Sequence, residues 1–448
     1  MSLPLQPNPM STATTETPGA GTPAAQPSTT TDTKTVTLRL SSANGPVTRT
    51  VLSQPPREAL PHEIPIINIS ALTNPSATLA ERQSIADQIR TAALTNGFFY
   101  ITEHGIPASV TSAAHSSSLS FFRQPVEQKQ PANAALYSKY NFGWKPPQSQ
   151  RINPFEGADL RETFSWRYDP AYDPSLSADD VDRIPEEVKK YIQIDEGDFP
   201  WSATTKDTPE FKRDVIKLFQ DVLELGRLLG RSFALSLGLD EHDWDGKFTY
   251  PGVGMAVNWY PPLPPSTATS PTNTEPAEKN VSIGSHTDFQ LFTLLYQDPS
   301  SPATALQVLS RCPEAGRTPG GEEIYQWLYA KPIPGTFVVN FGDYMQRITN
   351  DRYPSTVHRV QNFLAAAPLS GINEERCAEE HNGERLSMAF FFGFNQDETV
   401  EVLDSCVDYA RGEKKKYEAV SCFEWNLRRF KAMHDLGSGN VNGAGKGS

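Results

Sequence analysis

His286 and Asp288 stand two residues apart in Gly284-Ser285-His286-Thr287-Asp288-Phe289-Gln290. On a strand, that spacing turns an imidazole and a carboxylate to the same face. Such a pair suits a borderline divalent metal with open coordination sites. A third ligand must come from elsewhere, and His358 in Thr356-Val357-His358-Arg359-Val360 lies in another β-type run. Two histidines and one carboxylate cover one face of an octahedron and leave three positions open, the set used by non-haem ferrous centres. A zinc site would more often close with a fourth protein ligand or keep a single place for water. The expected catalytic centre is therefore iron held by His286, Asp288 and His358. A His-x-Asp pair by itself recurs by chance, and His62, His104, His115, His242, His381 and His434 lack a comparable setting and are read as structural.

The rest of the chain limits what such a centre could serve. Its 448 residues are 38% apolar and 21% charged, enough for a well-buried core in one large domain or two small ones. A net charge of -13 repels phosphate backbones, so no nucleic-acid partner is expected. The densest basic run, Lys414-Lys415-Lys416, is followed by Glu418 and reads as a solvated face. Cys312, Cys377, Cys406 and Cys422 form no CxxC pair, as in an intracellular protein. No apolar stretch approaches the ~20 residues of a membrane span, and no apolar segment follows a basic start as in a secretory signal. A monomeric, cytoplasmic protein with a small-molecule substrate and no membrane association is expected.

Residues 1–61 read as a disordered N-terminal extension, with a short hairpin or partner-ordered segment at 35–52 around Asn44-Gly45-Pro46. Residues 62–245 read as a mixed α/β region. It contains a strand at 64–69, helices near 78–95 and 108–123, a buried strand at 98–101 between them, and a long amphipathic helix over 209–238. The first helix carries Leu79, Ile85, Ile89 and Leu94 at roughly helical spacing. Residues 246–436 change character: short β-rich runs at 253–260, 290–297, 335–341, 356–362 and 385–394 point to a sandwich or barrel, with a final helix near 422–435. Residues 261–280 and 364–383 look like insertions, and 437–448 like a disordered tail.

Several short motifs occur in a fixed order along this body: Ile64-Pro65-Ile66-Ile67-Asn68, Asn96-Gly97-Phe98-Phe99-Tyr100-Ile101, Asn258-Trp259-Tyr260-Pro261, Ser285-His286-Thr287-Asp288, Asn340-Phe341-Gly342-Asp343, His358-Arg359-Val360 and Arg385-Leu386-Ser387. In that order they resemble the isopenicillin-N-synthase-like family of 2-oxoglutarate- and Fe(II)-dependent dioxygenases over residues 62–435. The resemblance implies an α+β fold, a distorted double-stranded β-helix (jelly roll) flanked by helices. It implies an oxidoreductase of secondary metabolism that takes Fe(II), 2-oxoglutarate and O2, with ascorbate as supporting reductant. The reaction would be hydroxylation, desaturation or ring closure of a small natural-product-like molecule, with succinate and CO2 as coproducts. An iron oxidase that needs no 2-oxoglutarate and a catalytically inactive ligand-binding relative remain open alternatives.

Arg385 and Ser387, two apart on an expected strand, face one way, and arginine's planar fork suits a carboxylate. By resemblance they bind the distal carboxylate of 2-oxoglutarate together with Tyr260, and Asn258 lies near the metal end. The sequence departs from many relatives at Ala256, where a longer basic residue is usual. Phe289, Phe394, Trp144 and Phe341 are the leading candidates to line the substrate cavity, with Tyr137, Tyr140, Phe142, Phe164 and Trp166 behind them. An aromatic cavity would suit a rigid, largely apolar molecule.

Overall fold

The computed structural model describes residues 34–42, 45–137, 142–192, 200–204, 206–261, 281–299, 306–361 and 384–437. The expected insertions at 261–280 and 364–383, the tail, Tyr140 and most of the N-terminal extension lie wholly or almost wholly outside these residues. Two sheets face each other. In chain order the strands are β1 (Thr35–Leu40), β2 (Val47–Leu52), β3 (Arg57–Glu58), β4 (Ile66–Asn68), β5 (Phe98–Thr102), β6 (Gly143–Lys145), β7 (Glu162–Arg167), β8 (Gly254–Tyr260) and β9 (Val281–His286). They continue as β10 (Phe292–Gln297), β11 (Leu306–Arg311), β12 (Ile324–Tyr329), β13 (Phe337–Phe341), β14 (His358–Gln361), β15 (Arg385–Phe392), β16 (Thr399–Val400) and β17 (Val420–Ser421).

The larger sheet runs β4-β5-β13-β10-β15-β8-β7-β6, and the smaller runs β1-β2-β12-β11-β14-β9 with β3 added beside β12. Strands from 66–167 and from 254–392 therefore share one sheet rather than forming two separate layers. The hairpin expected at 35–52 forms within the N-terminal extension. β1 and β2 form an antiparallel hairpin, and β2 then pairs in parallel with β12 at Ile324↔Thr50 and Tyr325↔Val51. Leu40 and Val51 are buried there against Leu309 and Trp327, which supplies the apolar contact that an isolated hairpin lacks.

The larger sheet is apolar on its outer face, while its inner face mixes apolar residues with polar ones such as Thr163, Asn258, Arg385 and Ser387. Its outer face packs under the helices Leu79–Thr95, Ala108–Phe122 and Pro209–Ser236. The long helix buries Phe211, Val215, Leu218, Phe219, Val222, Leu225, Leu229 and Phe233, and burial of each such side chain contributes about 1.5–3 kcal/mol. Gly226 lets it lie close to the sheet, since a Cβ there would meet the Phe392 ring at 2.5 Å. In Leu79–Thr95 the buried stripe is Ile85, Ala86, Ile89, Ala92 and Ala93, whereas Leu79 and Leu94 point to solvent. The inner face of the larger sheet meets the smaller one through Phe98, Tyr100, Tyr260 and Val338 against Ile283, Leu306, Val308 and Val360. The functional groups lie between these two layers. Cys312, Cys406 and Cys422 are free thiols. No helix of the described residues is long and apolar enough to cross a membrane.

Candidate metal centre and cosubstrate pocket

His286 ends β9 and His358 opens β14, and the two residues pair across these neighbouring strands. Their ring centroids lie 4.3 Å apart. Asp288 does not share the strand with His286 as the spacing suggested. It lies two residues past the end of β9, in the loop leading to β10. That loop is fixed by the turn after β13: the Asp343 N–H donates to the Asp288 carbonyl at 2.8 Å and the Gly342 N–H to the Leu291 carbonyl at 2.9 Å. Only glycine fits at 342, because a Cβ would overlap the Gln290 carbonyl.

The carboxylate oxygen Oδ1 of Asp288 is 3.8 Å from Nε2 of His286 and 3.8 Å from Nε2 of His358. One ligand atom from each of the three residues lies within 4.8 Å of the others. These distances are too long for hydrogen bonds and suit a single ion placed among the three groups. The other polar atoms of the three side chains are engaged. His286 Nδ1 meets the Gly284 carbonyl at 2.7 Å and His358 Nδ1 the Thr356 carbonyl at 3.0 Å. A carbonyl can only accept, so each Nδ1 carries the proton and each Nε2 keeps a free lone pair. Asp288 Oδ2 accepts from Thr293 Oγ1 at 2.6 Å and Asn340 Nδ2 at 2.8 Å, leaving Oδ1 to face the rings. Burial, and then the neighbouring His358, pushes the His286 imidazole down to about 3, so it is neutral near pH 7, the form that ligates. Burial works against the charge on Asp288, but the facing histidines and the Asn340 and Thr293 hydrogen bonds hold its carboxyl below the usual carboxylate range. The donor set thus fits a divalent cation with open positions. Asn340→Ala should weaken Fe(II) affinity by about 10–100-fold, the usual effect of losing a partner that orients a ligand; anaerobic iron titration measures it.

The C-terminal helix Cys422–Gly437 clasps the same loop. Arg429, 1% exposed, pairs its Nε with Asp343 Oδ2 at 2.7 Å and lies 4.4 Å over the Phe289 ring. Its Nη2 donates to Thr287 Oγ1 at 3.4 Å, and Trp425 Nε1 donates to the Phe289 carbonyl at 2.9 Å. Burial pushes the Asp343 carboxyl above the usual range against the pull of Arg429. Asn340 and Arg429 were missed as site residues in the sequence. Both carried a signal: Asn340 sits in the Asn-Phe-Gly-Asp motif, and Arg429 falls one helical turn after Trp425, a charge on a buried stripe.

Along the inner face of the larger sheet, Arg385 pairs with Tyr260 and Ser387 with Asn258. Arg385 is 1% exposed, and its guanidinium lies 4.8 Å from the Tyr260 ring centroid. Among the described residues its hydrogen bonds reach only neutral groups, Ser387 Oγ at 3.3 Å and Gln297 Oε1 at 3.2 Å, and its Nε has no partner. Glu384 next door is taken by Arg123 and by Trp259 Nε1. The Tyr260 hydroxyl is also buried without a partner. A buried guanidinium without an anion and an unpaired hydroxyl beside it fit a carboxylate guest. Asn258 is held on the same inner face. The register puts it beside Ser387, and its amide oxygen accepts from Arg161 Nη1 at 2.5 Å and Thr163 Oγ1 at 3.2 Å.

Most of the expected aromatic lining faces the other way. Trp144, Phe164, Trp166, Phe341 and Phe394 belong to the core beneath the helices. Trp144, Phe164, Trp166 and Phe341 each stand an odd number of residues from an inward-facing neighbour on their own strand, so the pleat turns them outward. Trp144 instead donates its Nε1 to Glu162 Oε2 at 2.7 Å, and Phe394 packs on Trp244 and Phe248. The inner positions are Lys145, Thr163, Ser165 and Asn340. Phe289, half-buried beside Asp288, meets the C-terminal helix at Phe430. Phe98, an inner residue of β5, sets its ring edge-on to His358 at 5.4 Å. The side chain of Tyr137 lies outside the description.

Residues 254–394 match the 2OG-Fe(II) oxygenase superfamily, and residues 64–196 match the non-haem dioxygenase in morphine synthesis N-terminal family. A 2-oxoglutarate-Fe(II) type oxidoreductase of Metarhizium rileyi, ppzC, is 44% identical over 403 residues, 90% of this chain and 96% of the relative. A homoarginine-6-hydroxylase of Arabidopsis thaliana is 32% identical over 77% of this chain and 88% of its own length. In fold, the chain is similar to a full-length Neurospora crassa protein solved in complex with alpha-KG and thymine, at a TM-score of 0.59, 21% identity and coverage of 84% of this chain and 96% of that one. With this likeness spanning almost its full length, the chain belongs to the 2OG-Fe(II) oxygenase superfamily, whose double-stranded β-helix it shares, and is an oxidoreductase that uses Fe(II) and 2-oxoglutarate.

Proposed function

We propose that His286, Asp288 and His358 hold the iron and that Arg385, Ser387 and Tyr260 hold the distal carboxylate of 2-oxoglutarate. The observation that carries this reading is the convergence of three free ligand atoms whose remaining polar atoms are all hydrogen-bonded. When bound, iron and 2-oxoglutarate supply oxidation of a C–H bond by O2, with succinate and CO2 as coproducts. The protein's own work is positional. The Gly284 and Thr356 carbonyls aim the two imidazoles, and Asn340 and Thr293 hold one carboxylate oxygen so that the other faces inward. Tyr260, Ile283, Leu295 and Val360 wall the space between the sheets and keep water from it.

The Arg385-x-Ser387 and Asn258-x-Tyr260 pairs, opposed across β15 and β8, support membership of the isopenicillin-N-synthase-like branch. Asn258, the fourth residue of that constellation, serves it indirectly by fixing Arg161 at the pocket wall. The substrate is a small natural-product-like molecule, in keeping with relatives named for hydroxylation of homoarginine and as oxidoreductases. Hydroxylation, desaturation or ring closure then depends on which C–H bond Phe289 and its neighbours present. We place the protein in the cytoplasm as a monomer.

The test supplies purified protein with Fe(II), ascorbate, 2-oxoglutarate and air. Succinate should form, faster in the presence of a metabolite that gains one oxygen atom or loses two hydrogens. Absence of succinate with an accepted substrate would remove the cosubstrate assignment. Oxygen uptake that continues without 2-oxoglutarate would place the protein with the oxidases instead.

A further inference from the structure

Four inner-face positions line up across four strands of the larger sheet: Lys145 on β6, Thr163 on β7, Asn258 on β8 and Ser387 on β15. Laterally paired residues point to the same side, so this row faces the space that holds the metal ligands. Three of the four have the hydrogen bonds described above. Lys145 is half-buried and makes no hydrogen bond or ion pair among the described residues. The charged group that acts on it is Arg161, of the same sign. Arg161 also bears on His286 and so stands near the metal end. It donates to Asn258, has Asp159 at 3.5 Å, and leaves its buried Nε unpaired. Burial pushes the Asp159 carboxyl above the usual range, which weakens its claim on that charge.

Two like charges gathered at a buried wall are unfavourable unless an anion arrives. Burial, then Arg161, pushes the Lys145 amine down to about 8, so near pH 7 most of it remains protonated. Neither carboxylate of 2-oxoglutarate needs this site. One end belongs to the metal and the other to Arg385, and three strand spacings, about 14 Å, separate Lys145 from Arg385, beyond the reach of a four-carbon side chain. The row therefore carries an unused cationic subsite on the substrate side of the cosubstrate.

We propose that Lys145, backed by Arg161, binds a carboxylate group of the substrate and so selects acids over their neutral analogues. This rests on the dioxygenase reading and deepens it by naming a substrate class. It also replaces the apolar aromatic cavity expected from sequence with one that has a cationic wall.

The experiment uses the full chain loaded anaerobically with Fe(II) and saturating 2-oxoglutarate, so that acids cannot occupy the cosubstrate pocket. Hexanoate, 3-phenylpropanoate and decanoate are each titrated against their primary amides by calorimetry. At least one acid should bind about tenfold or more tighter than its amide, the discrimination given by one charge-assisted hydrogen bond. Lys145→Met should abolish the preference and Lys145→Arg should keep it, with the KM for 2-oxoglutarate in substrate-free turnover within about twofold of the parent. Amides binding as well as acids, failure of every acid to bind, a preference that survives Lys145→Met, or a Lys145→Met effect on 2-oxoglutarate alone would each overturn the proposal. Loss of 2-oxoglutarate turnover in the parent protein would instead sink the dioxygenase reading, so the two failures are distinguishable.

Discussion

Asp288→Ala should leave a protein that binds no iron at assay concentrations and forms no succinate. The aspartate is the sole carboxylate of the ligand group, and its removal leaves two neutral imidazoles to hold a divalent ion. It also strands the Thr293 hydroxyl and the Asn340 amide, which both donate to it in a buried setting. The loss of iron affinity should exceed the roughly 100-fold upper range for removing an outer partner such as Asn340. Anaerobic iron titration followed by succinate assay measures both consequences. Retained turnover would refute the ligand assignment, and unchanged far-UV circular dichroism would show that the fold is not what failed.

Arg385→Leu should raise the KM for 2-oxoglutarate by at least about 30-fold, and by several hundredfold if the cost falls mid-range. Truncating one partner of a buried, hydrogen-bonded charge pair typically costs about 2–5 kcal/mol, and about 1.4 kcal/mol corresponds to tenfold. The turnover rate at saturating 2-oxoglutarate should fall less than KM rises, because the guanidinium acts far from the ligand group. Stability should move the opposite way. Without a bound anion, Arg385 is a buried charge with only neutral partners, so leucine should hold or raise the melting temperature of the cosubstrate-free protein. Steady-state kinetics and a melting curve, each with and without 2-oxoglutarate, measure the two effects. An unchanged KM would place the carboxylate anchor elsewhere.

The structure brings the polar candidates together and turns most of the aromatic ones away, and each outcome has a physical reason. His286, His358, Arg385 and Tyr260 were recognisable because polar residues in apolar strands stand out against their neighbours. Trp144, Phe164, Trp166 and Phe341 were chosen as aromatics near the motifs, and composition alone does not say which face of a strand a residue takes. The parity was nevertheless available. Asn340 and Phe341 are adjacent, as are Trp144 and Lys145, so in each pair only one can look inward. The place of Asp288 beyond its strand is a tertiary effect. It is set by the turn at Gly342, more than fifty residues later, which no local spacing encodes. The hairpin at 35–52 was legible as a hairpin, but its attachment to β12 was not, since that pairing spans most of the chain.

The clasp by Arg429 and Trp425 affects the order in which the molecule matures. The arginine meets Thr287 across a separation of 142 residues, one of the longer-range contacts around the centre. Contacts of that span form late in folding, after local elements and hairpins. During synthesis, both imidazoles and the aspartate emerge well before the helix that immobilises their loop. A chain still on the ribosome thus has the ingredients of the centre without its final rigidity.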